Sequence, residues 1–278
     1  METYFPKELE KFDKVAVKEW YNGYRWDENS STVYNPFSIL SFFNNGGEFI
    51  NYWYSTGTPT FLMKMSRDEH FYQFDNLNFD LNDLQNFDIE SLKVIPILFQ
   101  TGYLTITGKD PILNNMNLDF PNREVKESYI RNLADLYMES DMLPAKAILG
   151  KILEALRIHN EKELVKAFNF AFAQIPYDLW QRENEHFYHA IIHLLFNLLG
   201  FYIESEVHTQ YGRADIIIHF ENNVYCLEFK LDKSAEEAIQ QINERGYLDK
   251  YEGTDKTLHK IGINFSSKDK KVENIIWD

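Results

Sequence analysis

Apolar side chains in the last hundred residues recur with two different periods, and the switches between them outline a fold. NEHFYHAIIHLLFNLLGF is a strongly apolar run of helical length closed by Gly200. FYIESEVHTQ, ADIIIHF and NVYCLEFKL follow as short segments rich in β-branched and aromatic residues, which predicts three consecutive strands. The pattern then returns to helical spacing in SAEEAIQQINERGYLDKY, with Ala238 and Ile242 on one face. KIGINFS predicts a further strand, which the preceding helix can return to the same sheet. The predicted order is α-β-β-β-α-β.

Upstream the pattern is mostly helical. NPFSILSFF, Asn35 to Phe43, predicts a helix with Asn35 as cap and Pro36 in the first turn. Short helices are expected over Gly47 to Tyr54 and over Thr58 to Met65, the latter with Pro59 near its start. From Ser91 to Thr107 an apolar helix-like run reaches Gly102 and passes into the alternating strand YLTIT, a helix, turn and strand of winged-helix-like character. REVKESYIRNLADLYMES, AKAILGKILEALRIH and EKELVKAFNFAFAQI predict three more helices, the last two antiparallel because few residues separate them, with Pro176 closing the stretch.

A chain of 278 residues with 44% hydrophobic content has the size and composition of one large domain or two ordinary ones. No apolar run is long enough to span a bilayer, and METYFPKELEKFDKVAVKEW is too polar for a signal peptide, so a cytoplasmic protein without a membrane partner is expected. The single cysteine, Cys226, permits no intramolecular disulfide and no cysteine-based zinc site. Its place inside VYCLEF predicts a buried small hydrophobe. The net charge of −15 opposes nucleic-acid binding, because affinity for a polyanion comes largely from Lys and Arg. A local basic strip is nevertheless compatible with an acidic body.

Candidate chemistry gathers on the second and third predicted strands. ADIIIHF and NVYCLEFKL are joined by a short turn, so they should form an antiparallel hairpin. A two-residue turn places Asp215 opposite either Glu228 or Lys230, and all three side chains then share a face. A three-residue turn breaks that geometry. Two carboxylates brought together at one end of a sheet are costly unless a cation holds them, and their oxygen ligands suit Mg²⁺ or Mn²⁺. A lysine beside them can orient or deprotonate water and support charge developing on a phosphate, which is the chemistry of phosphodiester hydrolysis. The bland alternative makes Asp215 a strand-start residue and Glu228 with Lys230 a solvent-facing pair.

EHFYHAIIHLLFNLLGF, GRADIII, YCLEFKL, AEEAIQQINERGYLDKY and KIGINFS together resemble the PD-(D/E)XK nuclease domain found at the C-terminus of a bacterial family of AAA-ATPase-like proteins. The resemblance implies a restriction-endonuclease-like αβββαβ core. It also implies that Glu185, Asp215 and Glu228 bind a divalent metal, that Lys230 completes the ExK pair, and that Gln241 and Tyr247 form the QxxxxxY element of the following helix. Ala214 stands where the family pattern has proline. YNGYRW, VYNPFSILSFF, NYWYSTGTPTFLMK and ILFQTGYLTI resemble the end of the AAA-ATPase-like region of the same proteins. No GxxxxGK[ST] loop occurs in the sequence, so ATP binding and ATPase activity are not expected.

His189 and His193 are spaced i, i+4, but HAIIH lacks the glutamate of HExxH, which leaves structural or supporting roles, His189 lying one turn from Glu185. These readings predict a mixed α+β or α/β chain. Residues 1–125 form a helical, winged-helix-like remnant of the ATPase-like region, 126–172 form connecting helices, and 173–278 form the nuclease-like domain. The expected function is metal-dependent hydrolysis of nucleic acid, DNA by the resemblance. The alternative is a catalytically inactive module that binds a protein or nucleic-acid partner.

Overall fold

The computed structural model describes residues 9–56, 60–74, 77–85, 93–138, 145–175, 185–200, 202–209 and 212–278. The chain is a mixture of helices and sheets and divides into two compact units, Met1–Asn132 and Leu133–Asp278. Among the described residues no helix is long and apolar enough to cross a membrane. Thr58, Pro59, Ser91, Leu92 and Pro176 lie outside the described residues.

In the first unit α1 (Lys14–Tyr21) is capped by Asp13, whose Oδ1 accepts from the Val15 and Ala16 amides. A small hairpin of β1 (Asn22–Tyr24) and β2 (Val33–Tyr34) leads into α2 (Pro36–Asn44). As predicted, Pro36 stands in the first turn of α2 and Asn35 caps it, accepting from Phe37 N at 3.0 Å. The helix expected over Gly47 to Tyr54 does not form. Gly46 and Gly47 instead take left-handed φ values of 72° and 87° and end α2, and only a 3-10 turn, Trp53–Thr56, follows. Tyr21, Ile39, Phe42 and Tyr52 make the core beneath these elements.

The rest of this unit comprises α3 (Thr60–Asp68), β3 (Leu77–Phe79), α4 (Leu81–Gln85), α5 (Val94–Gln100), β4 (Thr105–Lys109) and β5 (Met116–Asp119). The three strands form an antiparallel sheet in the order β3-β5-β4. The strand expected at YLTIT therefore exists but begins two residues later, at Thr105. At the start of α6 (Arg123–Met138) the fully buried Glu124 accepts the backbone N–H groups of Tyr52 at 2.8 Å and Trp53 at 3.0 Å through Oε1. That carboxylate satisfies two amides that the 3-10 turn leaves without helical partners.

The second unit opens with α7 (Ala145–Arg157) and α8 (Glu161–Phe172), which pack together, followed by α9 (Glu185–Leu198). Its sheet contains β6 (Tyr202–Thr209), β7 (Gly212–Phe220), β8 (Asn223–Leu231), β9 (Thr257–Ser266) and β10 (Lys271–Trp277) in the order β10-β9-β8-β7-β6. β6, β7 and β8 are an antiparallel meander, and α10 (Ala235–Glu244) carries the chain across to β9, parallel to β8. The predicted α-β-β-β-α-β order is present in full. The sequence pattern missed β10, where a bulge between Val272 and Asn274 breaks the alternation that marks a strand.

Both faces of β8 are covered. Phe229 stacks with Phe265 of β9, which in turn stacks on Tyr188 of α9, with ring centroids 5.6 and 4.6 Å apart. On the opposite face Val224 and Cys226 pack with Ile242 of α10 and with Tyr247. Burial on both sides explains why β8 reads as an almost unbroken apolar run, and it makes Glu228 and Lys230 the anomalies. Cys226 is fully buried, as its apolar setting predicts, and burial pushes its thiol pKa well up. The predicted helix over SAEEAIQQINERGYLDKY stops at Glu244 with Arg245 as its C-cap, and its last residues form a separate 3-10 turn, Asp249–Tyr251.

Candidate active site

The hairpin between β7 and β8 decides the site. Phe220 pairs with Asn223, so the turn contains two residues, Glu221 and Asn222. From there the ladder runs to Ile216 opposite Leu227, and Asp215 and Glu228 are the next residues on their strands. Of the two registers the sequence left open, the structure adopts the one that sets Asp215 beside Glu228. Asp215 Oδ2 is fixed there by the Phe229 amide at 2.9 Å.

Glu228 is 2% exposed and Lys230, two residues on and facing the same way, is 13% exposed. The solvent-facing pair of the bland alternative is excluded by that burial. Lys230 Nζ donates to Glu228 Oε1 at 2.9 Å and to Gln241 Oε1 at 2.8 Å. The amide of Gln241 turns its Nε2 toward both Glu228 Oε1 and the Tyr247 hydroxyl, the latter at 3.0 Å. Four side chains are thus joined in one network. Tyr247 reaches it from beyond the end of α10 and not from the helix itself.

The approach of α10 depends on Gly262, which pairs with Glu228 across β8 and β9. A Cβ at this position would stand 2.3 Å from the Ala235 carbonyl oxygen and 2.9 Å from Ile239 Cγ1. Only glycine lets the helix lie close enough for Gln241 to reach the strand. A lone glycine inside a predicted strand is the mark this close approach leaves in the sequence. Ser234 caps α10, accepting from the Glu237 amide at 3.1 Å. At the end of β8, Asp232 accepts from the Ser267 amide and hydroxyl at 2.8 and 2.6 Å, tying the strand to the turn after β9.

Burial and the neighbouring Asp215 carboxylate push the pKa of Glu228 up from 4.5 to about 7, against the opposing pull of Lys230. Burial also raises the Tyr247 hydroxyl, which stays a neutral donor and acceptor. One oxygen of Glu228, Oε2, is buried without a hydrogen-bond partner among the described residues. An anionic oxygen so placed is expensive unless a cation meets it, so the donor set suits a hard divalent ion. Among the described residues no group of three or more His, Cys, Asp or Glu side chains is arranged as a metal cage, so Asp215 and Glu228 stand as a pair.

Glu185 opens α9, but its side chain lies outside the described residues. His189, on the same helix, lies against the Phe229 ring with centroids 4.5 Å apart, and its Nε2 is 3.9 Å from Asp215 Oδ2. His193 is buried elsewhere on the helix, its Nδ1 2.9 Å from Asn197 Nδ2. Asp215, Glu228, Lys230, Gln241, Tyr247 and His189 therefore meet at one end of the sheet.

Residues 183–275 match the sequence model of the PD-(D/E)XK nuclease superfamily. This stretch is a PD-(D/E)XK nuclease superfamily domain. Proteins of this superfamily generally use divalent metals, in keeping with the paired carboxylates. A protein of Azotobacter chroococcum mcd 1, described as "Uncharacterized protein in vnfD 5'region", is 32% identical over 292 aligned residues, covering 99% of this chain and 55% of its own. The chain spans about half the length of that relative. No solved structure matches the chain.

Proposed function

We propose that the PD-(D/E)XK domain hydrolyses phosphodiester bonds of nucleic acid, with DNA as substrate and Mg²⁺ or Mn²⁺ as cofactor. The observation that carries this reading is the buried Glu228–Lys230 pair beside Asp215, with the unpartnered Glu228 Oε2. A lysine and two carboxylates held in a largely dry strand end cost stability, and a role in chemistry explains their retention.

Asp215 and Glu228 would hold the ion, with Glu185 as a third carboxylate by resemblance, and the ion would polarise a phosphate oxygen and acidify the attacking water. Lys230 orients that water and supports the charge gathering on the phosphoryl oxygens. Gln241 keeps the lysine aimed, Tyr247 fixes the amide of Gln241, and His189 steadies Asp215.

The unit ahead of this domain is proposed to resemble part of an AAA-ATPase-like region. Supporting this is the order helix, strand, helix, helix, strand, strand from α3 to β5, which suits a winged-helix-like module. A second reading, a catalytically idle module that binds a protein or nucleic-acid partner, is favoured by the net charge of −15.

The test is an assay of purified protein on linear, circular and single-stranded DNA and on RNA, with Mn²⁺, Mg²⁺ or EDTA, beside Lys230→Ala. The nuclease reading expects cutting that requires metal and is lost in Lys230→Ala. Cutting that survives both EDTA and Lys230→Ala would be contamination and would contradict it. No cutting of any substrate would favour the idle module.

A further inference from the structure

We infer that Asn264 is a positioning residue for Lys230, supplying a second acceptor for its ammonium once Glu228 engages a metal. The inference rests on the nuclease reading of the site. Asn264 pairs with Lys230 across the parallel β8/β9 ladder, so the two side chains stand side by side on one face. Its side chain is 5% exposed. The amide orientation is fixed, because Nδ2 donates to Glu273 Oε2 at 2.9 Å and only the nitrogen can serve a carboxylate. Oδ1 is then buried with no hydrogen-bond partner among the described residues. A buried amide oxygen left in this state is costly, and it needs a donor.

Lys230 is the donor that the register provides. An ammonium has three N–H groups, and two of those of Lys230 are engaged by Glu228 Oε1 and Gln241 Oε1. With a cation bound, Glu228 would share its charge with the ion and hold the lysine less tightly. Asn264 Oδ1, neutral and unaffected by the ion, takes over the released N–H. Lys230 is then held between Gln241 and Asn264 with its remaining N–H directed to the water or the phosphate. The device keeps the lysine in place at the moment its ionic partner is diverted.

The experiment compares wild type, Asn264→Ala and the double variant Asn264→Asp with Glu273→Gln at saturating Mn²⁺, following labelling of Lys230 by an amine-reactive ester with mass spectrometry, alongside kcat and KM for cleavage. In Asn264→Ala, Lys230 should label about fivefold faster and kcat should fall by about the same factor, the equivalent of one ordinary hydrogen bond, with KM unchanged. Asn264→Asp combined with Glu273→Gln, which keeps the acceptor and reverses the direction of the hydrogen bond to residue 273, should restore slow labelling. Equal labelling of Lys230 in wild type and Asn264→Ala overturns the inference whether or not the protein cuts. A difference in labelling from a protein that cuts nothing would count against the nuclease reading alone and leave the positioning role standing.

Discussion

Lys230 Nζ stands 2.9 Å from Glu228 Oε1 at a strand end where neither side chain is more than 13% exposed. An ion pair this dry contributes little net stability, because desolvation offsets its attraction. The protonation behaviour of the site is set by burial and the neighbouring Asp215, against the pull of Lys230.

With its pKa raised to about 7 in the folded protein from an ordinary 4.5, Glu228 binds its proton more tightly folded than unfolded. Its contribution to stability is therefore fully present below pH 4.5 and is lost as pH rises through about 7. In EDTA, the melting temperature of the wild type should fall across that window relative to Glu228→Gln. Metal competes with this proton, so the stabilisation by Mn²⁺ should grow as pH rises through the same range. Parallel melting curves for the two proteins from pH 4.5 to 8 would show that Glu228 does not titrate as the geometry requires.

Gly262→Ala should be one of the most damaging small substitutions in the domain. Its methyl group would meet the Ala235 carbonyl oxygen at 2.3 Å, and a backbone atom has little room to retreat. Overpacking of this kind costs about 1–3 kcal/mol, and moving α10 away would also carry Gln241 off Lys230. Urea unfolding should show the loss of stability. A variant of wild-type stability would mean that α10 shifts freely over β9.

Glu124→Ala should destabilise the first unit by about 1–3 kcal/mol, since it strands the buried amides of Tyr52 and Trp53. Glu124→Gln, which keeps an acceptor oxygen, should lose less. Burial raises the pKa of Glu124, so the carboxyl tolerates neutrality in the fold. Chemical denaturation of the three proteins tests the order, and equal losses for Ala and Gln would contradict the role given to the acceptor.

Much of the PD-(D/E)XK domain was legible because strand and helix periods differ and because β8 is buried on both faces. In an apolar strand, Glu228 and Lys230 stand out in the sequence itself. The register of Asp215 was not legible, since it depends on the turn being two residues long and on those residues being Glu221 and Asn222. Tyr247 was read as part of a helix, although the helix ends at Glu244 and the tyrosine folds back from the following turn. Gly262 is marked only by being a lone glycine inside a strand and Asn264 by nothing, and their significance comes from strands that pair across a helix-length insertion. In the first unit the sequence predicts a helix from Gly47, where the left-handed Gly46 and Gly47 instead end the preceding one.

Melting curves across Mn²⁺ concentration at constant ionic strength test most directly whether Asp215 and Glu228 hold one divalent ion. Without metal, Asp215→Asn should be as stable as wild type or slightly more so, because it removes the charge that crowds Glu228. Added Mn²⁺ should stabilise wild type by about 1.4 kcal/mol at tenfold excess over Kd, and Asp215→Asn should lose most of that increment. Curves that rise in parallel for the two proteins would contradict the metal site and leave the fold without its proposed chemistry.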